Sequence, residues 1–337
     1  ADYNVAVGKG ALSDDTQGSK STGVGYQALS TQNFTSATDS HNTAVGYNAG
    51  SLISTGVQNT LVGSLAGDAL TTGGLTAFGY SAGGAATTSI GNVLMGELAG
   101  TAITTGNNNT AFGSQALSAN ITGTNNVAIG HDALRNSTAS GNTAVGYNSL
   151  DANTSGNANV AVGKDTLSTN ISGASCVAIG NDALFANTAS NNTAVGTSAM
   201  VANTSGDAGV AVGKSALQAN TEGRFLTGCG YEALYSNTTG GYNTAVGQFA
   251  LGANTTASNN VGVGNNAGDS ITTGASNVSV GNYAGQSTTT QLGTTSVGHY
   301  AGFYSTADTN IFIGYLAGYG GGNTSIATST GSGNVLI

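Results

Sequence analysis

Asn142 to Leu150 reads NTAVGYNSL, and a nearly identical phrase, NVAIGHDAL, occupies Asn126 to Leu134, sixteen residues earlier. Variants of this phrase recur from one end of the 337-residue chain to the other. In every copy a glycine follows an apolar residue, and this glycine is used below to anchor each repeat. Self-similarity at a short period is typical of repeat architectures, so the period has to be counted first.

The anchor glycines define nineteen units, and a twentieth, partial unit begins at Asn334. Thirteen of the eighteen intervals between anchors are 17 residues long, four are 16 and one is 21. No change in composition divides the array. The sequence therefore predicts one continuous repeat array over residues 1–337, with an insertion loop near residues 30–41 and an irregular last coil at 319–337. The anchors are Gly8, Gly25, Gly46, Gly63, Gly79, Gly96, Gly113, Gly130, Gly146, Gly163, Gly180, Gly196, Gly213, Gly230, Gly247, Gly264, Gly281, Gly298 and Gly314.

The three residues before each anchor have the pattern of a short strand. The residue directly before the glycine is Val, Ile, Phe, Met or Cys, and the residue two positions earlier is Val, Thr or Ile, so these two side chains share one face. Seventeen residues are too few for a helix pair or a propeller blade, and such a unit becomes stable only when copies stack. This predicts an all-β fold, a parallel β-solenoid or β-roll of about 19 coils with a 16–17 residue repeat.

The residue between these two positions is usually alanine, as at Ala44, Ala128, Ala144, Ala161 and Ala194. We expect the Val and Thr side chains to face the coil interior and the alanines to face outward. Because a solvated face would carry polar residues, small apolar residues there predict close packing against sister subunits about a shared axis. The predicted assembly is a parallel homotrimer, and a single solenoid with a flat alanine face is the alternative.

Four residues before the anchor, asparagine occurs in fourteen of the twenty units. Asparagine tolerates unusual backbone angles at turns, and stacked copies can bond to one another along the axis. We interpret this row as an internal, structural ladder, with a polar binding row as the alternative. The predicted ladder residues are Asn42, Asn59, Asn92, Asn109, Asn126, Asn142, Asn159, Asn192, Asn243, Asn260 and Asn277.

At Asn125 to Gly130, NNVAIG resembles the head repeat of trimeric autotransporter adhesins, in which Asn is followed by Val-Ala-Ile-Gly. The longer phrases also resemble repeats of phage tail-fibre proteins. The resemblance covers almost the whole chain and implies a left-handed parallel β-roll of three chains wound side by side. The unit here is two or three residues longer than the adhesin head repeat, so the loop edge of the coil is expected to differ.

Composition narrows the classes of function. Six basic and fifteen acidic residues give a net charge of -9 without clusters, which argues against nucleic-acid binding, and no apolar run is long enough for membrane insertion. The histidines His41, His131 and His299 lie many coils apart, so no metal site is expected. Cys176 and Cys229 lie three coils apart, too far for a disulfide. Neither an enzyme nor a cofactor is predicted.

The position directly after the anchor varies most, and aromatic residues gather there. Outward aromatic side chains beside polar groups suit a host-surface glycan or protein, whereas stacking on neighbours along the array is the structural alternative. The loop at 30–41 is a second place where recognition would be expected. The candidate binding residues are Tyr26, Tyr47, Tyr80, Tyr147, Tyr231 and Tyr315.

Together these features predict a structural and adhesive fibre segment, extracellular, in a virion appendage or on a cell surface. The main reading is a phage or virus-like tail fibre that presents a receptor-binding tip, and the alternative is the head of a bacterial trimeric adhesin. From a different class, a monomeric ice-binding solenoid would use repeated threonines on a flat face. The inward orientation expected for those threonines argues against it.

Overall fold

The computed structural model describes residues 2–320 and 332–337, which form an all-β parallel β-solenoid of about eighteen turns and contain no helix. This confirms the predicted fold class. Residues 321–331, within the predicted irregular last coil, lie outside the described residues. The chain groups into two compact units, residues 1–172 and 173–337, and each is described by itself.

In the first unit, ten strands pair in parallel in chain order, and the short strands β2 and β4 pair with each other. Each strand is two to four residues long, and turns make up the rest of each coil. The strands are β1 (Val5–Val7), β2 (Gly18–Ser19), β3 (Thr22–Val24), β4 (Thr38–Asp39), β5 (Thr43–Val45), β6 (Thr60–Val62), β7 (Leu75–Phe78), β8 (Asn92–Met95), β9 (Thr110–Phe112), β10 (Val127–Ile129), β11 (Thr143–Val145) and β12 (Val160–Val162).

In the second unit, ten strands pair in the same way, each with the strand one coil further along. Equivalent residues of successive repeats lie opposite each other, so side chains of one type form rows. The strands are β13 (Val177–Ile179), β14 (Thr193–Val195), β15 (Val210–Val212), β16 (Thr227–Cys229), β17 (Thr244–Val246), β18 (Val261–Val263), β19 (Val278–Val280), β20 (Thr295–Val297), β21 (Ile311–Ile313) and β22 (Val335–Leu336).

The predicted orientation of these strands is wrong. In β11 the central Ala144 is fully buried, whereas Thr143 and Val145 on the opposite face are partly exposed, and β9, β10, β12 and β14 repeat this pattern. In β1, the first strand, all three residues are exposed. The alanines therefore face the coil interior, which is narrow. A β-carbon at Gly228, the equivalent position of β16, would lie 3.2 Å from Leu217 and 3.3 Å from the Ala233 carbonyl oxygen. In coils with glycine four residues after the anchor, the larger Leu61, Leu94 and Phe312 are fully buried at the same position. The alanines are thus explained by packing within one coil, so they are not a sign of a contact between subunits.

The anchor glycines of both units have φ between +124° and +144°, a region that residues with a side chain rarely adopt. The backbone also approaches the next coil closely there. A β-carbon on Gly146 would overlap the carbonyl group of Gly163, the anchor one coil further along. The anchor therefore has to be glycine for both conformation and spacing.

Four residues after the anchor, the backbone is again left-handed, with φ near +55° at both Leu117 and Gly100. Leucine adopts this conformation at a cost of roughly 1–2 kcal/mol, but Leu117 is fully buried in the core. Where glycine occurs instead, other side chains fill the space, because a β-carbon on Gly100 would lie 2.8 Å from Leu94 and Ile103. The exchange between leucine and glycine is thus a packing exchange within the coil.

The asparagines predicted as a ladder are buried in both units, where they bond to the backbone of neighbouring coils. The Asn126 backbone N–H donates to Asn109 Oδ1 (3.0 Å), and Asn126 Oδ1 accepts from the backbone N–H of Asn142 (2.9 Å). The Asn126 Nδ2 group donates to the carbonyl of Ala139 (2.8 Å). Each amide thus satisfies backbone groups that the short strands leave unpaired. The bond between the side chains of Asn59 and Asn42 (3.0 Å) is an exception to this pattern.

A second asparagine ladder, which was not predicted, lies seven residues after the anchor. In the second unit, Nδ2 of Asn220 donates to Oδ1 of Asn203 (2.8 Å), and Nδ2 of Asn237 donates to Oδ1 of Asn220 (2.9 Å). These side chains are fully buried. Here the bonds run from side chain to side chain, as stacked identical amides allow.

Residues 30–41, where the long interval falls, are only partly exposed. Gln32 and Phe34 are buried, and β4 pairs with β2. Gln32 Nε2 donates to Asp15 Oδ2 (2.9 Å), and Gln32 Oε1 accepts from Asn42 Nδ2 (2.8 Å). The longest exposed stretch of the segment is its middle, residues 35–37.

Candidate binding surfaces

The six candidate tyrosines lie on the turn that follows the strand, and all six are exposed, from 40% for Tyr26 to 74% for Tyr315. Several rings pack on the equivalent position of the next coil. Tyr26 and Tyr47 stack with centroids 5.3 Å apart and an interplanar angle of 9°, and Tyr147 stacks on His131 at 5.7 Å. The stacking that was the structural alternative is therefore present, and binding by this row stays a prediction.

Tyr231 is placed differently from the stacked pairs. Its ring meets the edge of Phe249 at 5.4 Å, and Lys214 Nζ lies 5.9 Å from the ring centroid. The neighbouring Glu232 carboxylate raises the pKa of the Tyr231 hydroxyl. The contacts of the Tyr231 ring with Phe249 and Lys214 lie on the surface, and each joins side chains of adjacent coils.

A charged group surrounds Arg135 in the first unit. Arg135 Nε lies 3.0 Å from Asp151 Oδ1, and His131 Nδ1 lies 3.0 Å from Asp132 Oδ2. Burial raises the pKa of Asp151, an effect that the Arg135 charge opposes. The Arg135–Asp151 pair joins residues 16 positions apart and so links two successive coils. Partly exposed ion pairs of this kind contribute little to stability.

Among the described residues, no group of three or more His, Cys, Asp or Glu side chains is placed to hold a metal ion. These residues also form no pocket. Within 2–320 and 332–337, no helix has the length and apolarity to cross a membrane. Neither cysteine is in a disulfide. Cys176 is fully buried in the row of the first asparagine ladder, whereas Cys229 lies on the strand face that was expected to be interior and is partly exposed there.

The outward strand face is a surface that was not predicted. The side chains one and three residues before each anchor glycine, which form it, were expected in the coil interior. We call the residue directly before each anchor glycine the outer row; it is Val, Ile, Phe, Met or Cys in every unit. Phe112 is 54% exposed and Ile129 40%. The outer row comprises Val7, Val24, Val45, Val62, Phe78, Met95, Phe112, Ile129, Val145 and Val162 in the first unit, and Ile179, Val195, Val212, Cys229, Val246, Val263, Val280, Val297 and Ile313 in the second.

A second missed surface lies in the second unit, on the turns that follow β20 and β21. Six rings contact one another there, and we call them the aromatic cluster. His299 stacks on Tyr315 at 5.6 Å, and Tyr304 meets Phe303 at 4.5 Å. In the sequence, the cluster is visible as a high density of aromatic residues between positions 299 and 319. Most of them lie outside the position directly after the anchor glycine, where binding residues were predicted. The cluster consists of His299, Tyr300, Phe303, Tyr304, Tyr315 and Tyr319.

The chain was compared with known protein families, curated proteins and solved structures. No protein-family model, no curated protein and no solved structure matches the chain.

Proposed function

We propose that the chain is a segment of a homotrimeric fibre in an extracellular phage or virus-like tail, where it holds a receptor-binding tip away from the fibre base. The outer row is the observation that supports this proposal. Each coil places an apolar side chain on a strand face that the chain itself leaves partly or largely exposed. Contiguous exposed apolar surface is uncommon on soluble monomers and is typical of contact surfaces.

Further copies of the same chain fit this surface well. A copy repeats its coils at the same strand spacing, roughly 4.7–4.9 Å, so two outer rows can interdigitate coil by coil. The strands that carry the outer row contain no charged side chain, so copies would meet there without repulsion. Closed cyclic symmetry would cover the outer row of every copy, and the number three follows from the resemblance to adhesin heads.

The test is the mass of the purified chain and of two variants, measured by light scattering at micromolar concentration. We expect about 98 kDa for the unchanged chain, three times the 32.6 kDa of one copy. Ile129→Glu would place a charge within the apolar contact, where burying it unpaired is costly, so this variant should shift toward 32.6 kDa. It should remain folded, because Ile129 is 40% exposed within a single chain.

The matched control is Ile121→Glu, which makes the same change at a residue that is 48% exposed but lies on a turn away from the strand face. This variant should keep the mass of the unchanged chain. A single-chain mass for the unchanged protein, or equal effects of the two substitutions, would overturn the proposal.

The head of a bacterial trimeric adhesin would use the same outer row in the same way. The gene sequence that follows Ile337 distinguishes the two readings. A self-cleaving chaperone domain there would support the tail fibre, and a membrane anchor would support the adhesin.

A monomeric ice-binding solenoid is the second candidate, and the orientation of the strands favours it more than the sequence did. Threonines three residues before the anchor face outward, and they occur in six strands of the first unit and four of the second. Thr143 and Val145, for example, are both partly exposed on one face. A gap between the melting and freezing temperatures of a dilute solution would support this reading, and coincident temperatures would exclude it.

A further inference from the structure

The aromatic cluster is not needed to fill the core of its coils. That space is occupied by Phe312, which is fully buried beneath the turns. A β-carbon on either Gly302 or Gly318 would collide with the Phe312 ring, so the interior there is already full. By contrast, Tyr304 is 44% exposed and Tyr315 is 74% exposed. The rings therefore form an outer layer over a core that is complete without them.

The polar atoms of the cluster are unoccupied within the described part of the chain. No described residue is hydrogen-bonded to the hydroxyl groups of Tyr300, Tyr304, Tyr315 or Tyr319. His299 Nδ1 is buried and likewise has no partner among the described residues. Packing alone would be served by phenylalanine, whereas tyrosine adds a polar tip suited to a ligand with both apolar and polar groups.

The charge of the surroundings narrows the ligand class. After Arg224 the sequence contains no lysine or arginine, and the one charged residue between positions 283 and 320 is Asp308. Asp308 Oδ1 accepts a hydrogen bond from the backbone N–H of Leu292, so it is engaged within the fold. Nucleic acids and other polyanions bind largely through basic side chains. The ligand that fits is uncharged.

The shape of the surface narrows the class of ligand further. The described residues form no pocket, so there is no cleft of the kind that anchors small ligands or peptide side chains. Instead, the Tyr283 ring stacks on Tyr300 at 5.0 Å with an interplanar angle of 6°, and His299 is parallel to Tyr315 within 4°. These parallel rings extend the surface along successive coils. A flat ligand that itself repeats matches such a surface.

We propose that the aromatic cluster binds a neutral polysaccharide. The C–H faces of sugar rings would lie on the exposed rings of Tyr304 and Tyr315, and sugar hydroxyls would bond to the tyrosine hydroxyls. This site goes beyond the proposed fibre function, because it places recognition on the solenoid itself. It does not depend on the number of chains.

The experiment is native electrophoresis of the full chain through gels that contain soluble neutral polysaccharides: a mixed-linkage β-glucan, mannan, galactan and dextran. At least one of these should retard the unchanged chain. Tyr304→Ala and Tyr315→Ala should each weaken that retardation at least tenfold, whereas Tyr315→Phe should retain part of it because the ring remains. The control is Tyr242→Ala, which removes a 62% exposed tyrosine that belongs neither to the aromatic cluster nor to the six candidate tyrosines, and it should change nothing.

Unchanged melting temperatures of the variants would show that they are folded, as expected for exposed residues. Absence of retardation by all four polysaccharides would overturn the proposal, even if the cluster bound a protein. An equal loss of retardation in Tyr242→Ala would overturn it as well. Failure of the fibre proposal would appear in the mass measurement and not in these gels, so the two results are distinguishable.

Discussion

Gly146→Ala should destabilise the stacking of β11 on β12, with a loss of about 2–6 kcal/mol in the free energy of unfolding. Gly146 has φ of +137°, where a side chain costs about 1–3 kcal/mol. The added methyl group would also overlap the carbonyl of Gly163 in the next coil, and such overpacking costs about 1–3 kcal/mol. Thermal unfolding followed by circular dichroism should show a drop on the order of 10 °C for a unit of this size.

Two glycines in the same unit separate these contributions. A β-carbon on Gly74 would contact no other atom and its φ is ordinary, so Gly74→Ala should leave the melting temperature unchanged or slightly raised. Gly141 also has free space but a φ of +70°, so Gly141→Ala should show only the conformational cost. Equal melting temperatures for the alanine variants of Gly146 and Gly74 would contradict the close stacking of anchor glycines.

Asn126→Ala should cost about 2–6 kcal/mol, because it leaves two buried backbone groups without partners at roughly 1–3 kcal/mol each. These groups are the N–H of Asn142 and the carbonyl of Ala139, both bonded to the Asn126 amide. Chemical denaturation with urea would measure the change. As a control, Asn282→Ala removes an exposed asparagine and should alter stability by less than about 0.5 kcal/mol.

If the variants of Asn126 and Asn282 denatured at the same urea concentration, the ladder would be a by-product of stacking and not a source of stability. The chain offers one natural comparison. Gly209 occupies the ladder position in its coil, and its N–H still donates to Asn192 Oδ1 (2.9 Å). The space left by the missing amide is filled by Met200, whose terminal methyl lies 2.7 Å from where a β-carbon would be.

The repeat period and the parallel stacking could be read from the sequence, because a glycine at fixed spacing and an alternating three-residue strand are local patterns. Which side of the strand faces inward could not be read from the sequence. Alternation shows that Thr143 and Val145 share a face and that Ala144 lies on the other, but three residues do not reveal which face is buried. The choice depends on the width of the coil interior, which is a tertiary property.

The asparagine and leucine rows also have features that depend on tertiary structure and could not be predicted from the sequence. The first ladder was recognised by its frequency, yet its bonds run mainly to the backbone, and that depends on strands too short to pair their own flanking groups. The leucine at positions such as Leu117 has a left-handed backbone, which the sequence does not reveal and which explains why glycine is its one regular substitute. The aromatic cluster required contacts between residues of adjacent coils, and those become visible only when the coils are stacked.

Two neighbouring substitutions test the inward orientation of the alanine row most directly. Ala128 is fully buried and Ile129, the next residue, is partly exposed on the opposite face. Thermal unfolding should show no native transition near the normal temperature for Ala128→Glu, because an unpaired carboxylate in the coil interior costs several kcal/mol. Ile129→Glu should retain a cooperative transition as a folded single chain. A folded Ala128→Glu variant beside an unfolded Ile129→Glu variant would contradict the account.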